Sequence, residues 1–510
     1  MITAETQRAQ RKTKRTPRSS GTWFEDFMNS NKTKIAFATL GCRVNQYDTQ
    51  AMKEQMEKAS LAPVAFEEQA DIYVINTCTV TAAADSEGRQ LVRRAKAKNP
   101  DSFVVITGCL AQDRPEEVAA LKGVDLVVGN SDKSLLLQKI SEKYAAVVGV
   151  RFIEPLGVMN VAPTKSNPWG GGISRFDGHQ RATIKVQDGC NFGCSFCLIP
   201  RVRGEMISRP LGEIIEEGKR LASNGVKELV LAGIQLSSYG RDFGLKVSEP
   251  RLAPVIEKLL TIPGIQRVRL SSYAVVDFED ALLPLWKSDG GLCAHLHLPL
   301  QSGDAELLKA MRRPYSLERY RETVLKIRES FPDLGLTSDV IAGFPTESDE
   351  AFQNTLDRIE EFGFVDFHPF PYSDRPNTPG EKMTPKVHAA IIRERMKKLL
   401  ELKKKCLRSS AEKAAGKVFR VIVERHNEQL QAGLTDQGLR ILFPLKEGRL
   451  GQEAQVKVTA VQNEAAFAEW VENPLLGLRP GGYAPQAPVR PPFSTRNQTK
   501  TTAAGLPTNA

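Results

Sequence analysis

Three apolar runs that each stop on a cysteine constrain this chain more than any other feature: KIAFATLGC ends at Cys42, DIYVINTC at Cys78 and SFVVITGC at Cys109. Each run has the length and β-branched content of a buried strand, and helix-like segments lie between them, such as Gln50 to Ser60 and Ala83 to Lys98. Strand alternating with helix predicts a parallel α/β sheet. In open sheets of that kind ligands bind beyond the carboxyl ends of the strands, which is where all three cysteines fall. One cysteine there reads as a small buried hydrophobe; three in equivalent positions point to a shared site for a metal held by thiolates.

At 510 residues the chain exceeds a single core, so about three domains are expected. The first spans 34–150, and a stretch at 151–177 rich in Pro, Gly, Ser and Asn reads as a linker. In the second, 178–410, strand-like runs at Thr183 to Val186, Glu228 to Ile234, Arg267 to Ser271, His295 to Leu300, Leu336 to Ile341 and Val365 to Phe370 alternate with helical stretches. Gly212 to Ser223, Phe278 to Lys287, Leu317 to Ser330 and Asp349 to Glu361 are the helices. Six such repeats predict a partial TIM-type barrel with its chemistry at the carboxyl face of the strands. A charged helix from Pro385 to Ala414 precedes a small β unit in 411–470, with strands at Lys417 to Val423, Leu439 to Phe443 and Ala454 to Val461. The ends, 1–33 and 471–510, are expected to be disordered tails.

The sharpest motif is DGCNFGCSFCLIPRVRG, in which Cys190, Cys194 and Cys197 form a C-x3-C-x2-C loop directly after the first barrel strand. Three thiolates can hold three irons of a cubane and leave the fourth open, since a fully held cluster takes four cysteines. The alternatives are a zinc site or a chance cluster; structural zinc normally closes with four ligands, and the spare candidate, His179, precedes the strand.

With this loop the chain resembles the radical-SAM superfamily. Its cysteine-bearing first domain and small β domain after the barrel resemble the methylthiotransferase family over about residues 34 to 465. The resemblance implies an amino-terminal parallel α/β domain, a central (βα)6 radical-SAM barrel and a TRAM-like RNA-binding domain. It implies two 4Fe-4S clusters, an auxiliary one on Cys42, Cys78 and Cys109 that carries sulfur, and a radical-generating one on Cys190, Cys194 and Cys197. S-adenosylmethionine is then both radical source and methyl donor, with Phe196 and Ile199 bordering its adenine. The segments LAGIQLSSYGRD, RVRLSS, HLHLPLQSGD, MRRPYS and TSDVIAGFPTE match the family, and Ser272, Gln301 and Asp339 are further candidates for cofactor contacts. TLGCRVNQYDTQ and NTCTVT resemble the branch that modifies N6-threonylcarbamoyladenosine beside the anticodon, at C2 of the base, more than the branch acting on isopentenyladenosine. The ribosomal-protein aspartate branch fits worse, and a non-catalytic iron-sulfur or RNA-binding protein is the remaining alternative. The implied partners are the tRNA anticodon stem-loop and an electron donor such as flavodoxin or ferredoxin; the sulfur donor is left open.

One departure stands out: after RLSS the family usually has an apolar residue, Glu and Pro, where this chain has Tyr273, Ala274 and Val275. Cys293 and Cys406 match no cluster position. His295 and His297 read either as metal ligands or, more simply, as packed polar groups on an alternating strand. The net charge of +10 favours a polyanionic partner. Lys417, Arg420, Arg425, Arg440, Arg201, Arg203 and Arg209 are the candidates for backbone contacts with RNA or are plain surface charges. Part of the excess falls between Gln7 and Phe24, where no acid occurs, a composition that also suits an organelle transit peptide. With no apolar run of secretory or membrane-spanning length, the reading is a cytoplasmic protein without a membrane partner.

Overall fold

The computed structural model describes residues 33–148, 169–287 and 291–471. The tails expected at either end, and most of the expected linker, lie outside the described residues.

The first sheet comprises β1 (Lys34–Thr39), β2 (Ala62–Val64), β3 (Ile72–Thr77), β4 (Phe103–Gly108) and β5 (Leu126–Val128), all parallel, in the order β2-β1-β3-β4-β5. Its strands are apolar throughout because both faces are covered. Ile72, Val74 and Phe103 pack on Met52, Met56 and Ile140; Tyr73, Ile75 and Val104 pack on Leu91, Val92 and Ala95. Since β3 lies between β1 and β4, the cysteines that follow these strands stand side by side at the carboxyl end of the sheet.

Helix α1 (Arg43–Lys58) begins directly after Cys42, well ahead of the Gln50 start read from the sequence. Its first turns bury Asn45, Asp48, Thr49 and Gln50, and these polar residues conceal the helical period from any count of apolar spacing. Helices α2 (Ala82–Lys98) and α3 (Leu136–Val148) complete the layer.

Six parallel strands follow: β6 (Arg181–Asp188), β8 (Glu228–Gly233), β9 (Arg267–Leu270), β10 (His295–His297), β11 (Gly335–Ala342) and β12 (Asp366–Pro371), with β7 (Ile207–Ser208) antiparallel against β6. Single bridges, Val268 with Leu292 and Ser272 with His297, join the two halves into an open (βα)6 barrel. Helices α4 (Leu211–Ser223), α5 (Ala253–Leu260), α6 (Leu282–Lys287), α7 (Leu317–Ser330) and α8 (Asp349–Phe362) cover its outside. Strand alternation sends Ile184, Leu229, Val268, Leu296 and Val340 into the helix-covered core and leaves Lys185, Glu228, Arg269, His295 and Asp339 for the lumen. The helix expected from Phe278 starts only at Leu282, because Glu279 is drawn inward, where its carboxylate accepts the backbone N–H groups of Arg251, Leu252 and Ala253 at 2.9–3.0 Å.

Helix α9 (Ala389–Ala414) starts after the Pro385 expected and leads into a closed five-stranded barrel of β13 (Val418–Arg425), β14 (Leu430–Leu434), β15 (Arg440–Pro444), β16 (Glu453–Gln462) and β17 (Ala465–Trp470). Sequence reading finds three of these strands; LQAGL is short and carries a glycine, and AAFAEW has the alanine content of a helix. The small barrel docks on the amino ends of the larger barrel's strands. Arg267 donates to Leu434 O at 3.0 Å, Arg269 to Thr435 O at 2.9 Å, and Arg181 pairs with Glu424 at 2.7 Å.

Candidate active site

Two cysteine sets meet where the first sheet faces the half-barrel. Gly41, at φ +94, makes the first set possible: a Cβ there would stand 2.8 Å from Cys78 Sγ. Gly189, at φ +72, does the same for the second, since a Cβ would lie 2.0 Å from Glu205 O and push the Cys190 loop off the strand. Cys109 packs against Leu198, Val202 and Ile199, on the turn just after Cys197, so the two sets are neighbours across the domain boundary.

Five of the six sulfurs accept an N–H. Val80 N donates to Cys78 and Phe192 N to Cys190, each at 3.4 Å; Ile199 N donates to Cys197 at 3.4 Å, Asn130 Nδ2 to Cys109 at 3.5 Å and Arg313 to Cys194 at 3.2 Å. Burial pushes the Cys78 thiol up to about 11 and Cys197 up to about 12, and the N–H donors oppose that shift. Donors aimed at sulfur suit thiolates that hold an iron-sulfur cluster, whose properties depend on such hydrogen bonds. Among the described residues no three His, Cys, Asp or Glu side chains converge to hold a single ion. A cubane takes one thiolate per iron corner, so its ligands are spread around it.

The other sequence candidates are distributed around the lumen. Phe196 packs edge-on to Phe344, with ring centroids 6.4 Å apart, in a cluster with Met311 and Tyr372, whereas Ile199 leans on Cys109; the structure does not bring the two together. Asp339 Oδ2 lies 3.2 Å from His297 Nε2, and Thr337 Oγ1 is shared by His295 Nε2 and His297 Nδ1 at 3.0 Å each. Burial, then the Arg269 charge, holds His295 well below the usual histidine range, so it is a neutral packed group. Gln301 adopts φ 66 and is tied through its backbone to Asp339 and Ile341. Ser272 bridges to His297. Of the acidic residues that follow Ala274 in the chain, Asp277 is engaged by Ser238 and Arg241, and Glu279 caps α5. Cys293 is buried and points to Asp436 at 3.7 Å, and Cys406 packs against the barrel core.

Two arginines proposed for RNA are internal. Arg209 is buried against Glu217, and Arg203 pairs with Asp188 at 2.9 Å and Asp48 at 3.2 Å. Lys185 adds pairs with Asp48 at 2.6 Å and Asp188 at 3.2 Å, and Lys133 reaches Asp48 at 2.9 Å. Burial works to raise the Asp48 carboxyl, but Lys133, Lys185 and Arg203 outweigh it and keep it ionised. This network joins the two domains directly behind Cys109, and apolar spacing missed it; the one available signal was Lys185, a charge in the middle of the strand TIKV. A cavity of about 790 Å³ lies beside the network, lined by Tyr47, Asp48, Lys133, Trp169, Lys185 and Arg203 among others.

The chain matches two family models, one described as "Uncharacterized protein family UPF0004" over residues 34–129 and the Radical SAM superfamily over residues 184–359. It is 43% identical to threonylcarbamoyladenosine tRNA methylthiotransferase MtaB of Aquifex aeolicus, over 79% of this chain and 96% of that one. The protein of the same name from Bacillus subtilis is 35% identical over 86% of this chain and 97% of its own. A tRNA-2-methylthio-N(6)-dimethylallyladenosine synthase from Acetivibrio thermocellus is 32% identical over 86% and 91%. Radical-SAM membership entails a 4Fe-4S cluster and S-adenosylmethionine. With two cysteine sets side by side and relatives of this kind matched over nearly their whole length, the chain belongs to the radical-SAM methylthiotransferase family, on the branch of the threonylcarbamoyladenosine tRNA methylthiotransferases.

Proposed function

We propose that this chain methylthiolates N6-threonylcarbamoyladenosine in tRNA at C2 of the base, with Cys190, Cys194 and Cys197 holding the radical-generating cluster and Cys42, Cys78 and Cys109 holding a second, auxiliary one. The observation that supports the reading is the contact of Cys109 with Leu198 and Val202, on the turn that follows Cys197. When bound, the clusters supply the electron that cleaves S-adenosylmethionine and the sulfur that is delivered with its methyl group.

The chain's own residues bind and orient. Arg313, stacked 4.9 Å over Tyr315, holds Cys194, and Tyr315 in turn donates to Pro299 O at 2.7 Å, so the radical-cluster loop is braced by the barrel wall. Arg375 donates to Thr79 Oγ1 and to Asp85, both at 2.6 Å, which ties the loop after Cys78 to the segment after β12. His297 and Asp339 offer polar contacts in the lumen where a flipped base would enter. Exposed Lys417 and Arg425 remain to hold the backbone of an anticodon stem-loop, whereas Arg201 is paired with Asp113 at 3.1 Å and Arg440 faces Glu424 at 3.8 Å. A flavodoxin- or ferredoxin-like protein would supply electrons, and the site of action would be the cytoplasm; no helix among the described residues is long and apolar enough to cross a membrane.

The test uses the reconstituted full chain with S-adenosylmethionine, a reductant and a stem-loop carrying threonylcarbamoyladenosine. Wild type is expected to yield 5′-deoxyadenosine and the methylthio nucleoside, and Cys78→Ala to yield 5′-deoxyadenosine without it. No methylthio product from wild type with both clusters loaded would contradict the proposal.

A further inference from the structure

Five side chains form an alternating ladder of charge between the two cysteine sets. Arg375, on the segment after β12, pairs with Asp85 at 2.6 Å, and Asp85 also pairs with Arg114. Arg114 meets Asp113 at 3.3 Å, and Asp113 meets Arg201 at 3.1 Å. The ladder touches elements that adjoin the cysteines. Thr79, the residue after Cys78, accepts from Arg375 at 2.6 Å, and Asp85 lies in the first turn of α2, which follows. Asp113 ends the short helix Cys109–Asp113, and Arg201 lies in the short helix Ile199–Arg203, just after Cys197. Arg201 also donates to Asp113 O at 3.3 Å. Two residues on, Arg203 pairs with Asp48 and Asp188, so this helix is gripped from two directions, since residues two apart on a helix do not share a face.

Stability is a poor account of this ladder. The Asp113 side chain is fully buried, and among the described residues neither of its oxygens accepts a hydrogen bond of good geometry. Asp85 and Arg375 are buried as well. Taking such charges out of water costs about as much as their pairing returns, and apolar residues of similar volume would hold two domains together at least as well. What paired charges add is a defined geometry, because the planar guanidinium fixes where its carboxylate partner must lie. We propose that the ladder sets the spacing between the two cysteine sets, with Asp113 and Arg201 as positioning residues, so that a radical made at one set acts where sulfur held at the other can reach; the inference rests on the function proposed above. Loosening the ladder leaves cleavage of S-adenosylmethionine intact and separates it from sulfur transfer.

The experiment uses the reconstituted full chain with a stem-loop carrying threonylcarbamoyladenosine, and compares wild type with Arg201→Gln, Arg201→Lys and Arg375→Gln. The Arg201 side chain is 46% exposed and Asp113 keeps Arg114, so Arg201→Gln should fold; Arg375→Gln tests the same claim from the other end. The first readout is 5′-deoxyadenosine formed per methylthio nucleoside, a ratio that loss of folded protein alone does not move. It should rise about 10- to 100-fold in Arg201→Gln, the scale of loss that a misplacement of about 1 Å brings, with Arg201→Lys in between and Arg375→Gln changed in the same sense. The second readout is the electron paramagnetic resonance spectrum of the reduced protein without substrate, in which the magnetic interaction between the clusters should weaken in Arg201→Gln at wild-type iron content. A wild-type ratio or a wild-type spectrum in Arg201→Gln would overturn the ladder's positioning role alone. Absence of methylthio product from wild type with both clusters loaded would overturn the proposed function and this inference with it.

Discussion

A guanidinium with only 2% of its side chain exposed, as in Arg203, has to be neutralised where it lies, and Asp48 and Asp188 do so from two different domains. Arg203→Ala should therefore cost about 3–5 kcal/mol in urea denaturation, the loss typical of breaking a buried pair. It should leave the salt dependence of tRNA affinity unchanged; a variant of wild-type stability whose salt slope had fallen would return Arg203 to the RNA surface. Cys42, Cys78 and Cys109 were legible because each ends a run of strand-forming residues, and Cys190, Cys194 and Cys197 because their spacing is a local motif directly after a strand. Asp48, Lys133 and Lys185 were not, since their meaning lies in partners far away in the chain.

The helices were read nearly residue for residue where one face is apolar, as in α7 and α8, and misplaced where polar side chains turn inward, as in α1 and around Glu279. In the small barrel the division of labour among basic residues follows from position. Arg420 is committed to Glu453 at 3.2 Å and Asp436 at 3.6 Å, whereas Lys417 and Arg425 are exposed at either end of β13. Lys417→Ala and Arg425→Ala should each weaken tRNA binding without loss of stability, and each should reduce the slope of log affinity against log salt by about 1. Unchanged slopes in both variants would move the RNA contact to another surface.

Across the whole molecule, two domains contribute one cysteine set each, and buried charges and Cys109 packing hold them together; the small barrel docks at the opposite end, on the amino ends of the barrel strands. The cysteine sets and the three-part plan were evident in the sequence, while the interdomain network and the docking face were not, because contacts between distant segments leave no local periodicity. The account's central claim concerns product, and mass spectrometry of tRNA nucleosides addresses it most directly. A strain lacking the gene would be complemented with the wild-type chain or with Cys194→Ala. The account predicts 2-methylthio-N6-threonylcarbamoyladenosine with the wild-type chain and the unmethylthiolated nucleoside with Cys194→Ala; the methylthio form persisting in the Cys194→Ala strain would contradict it.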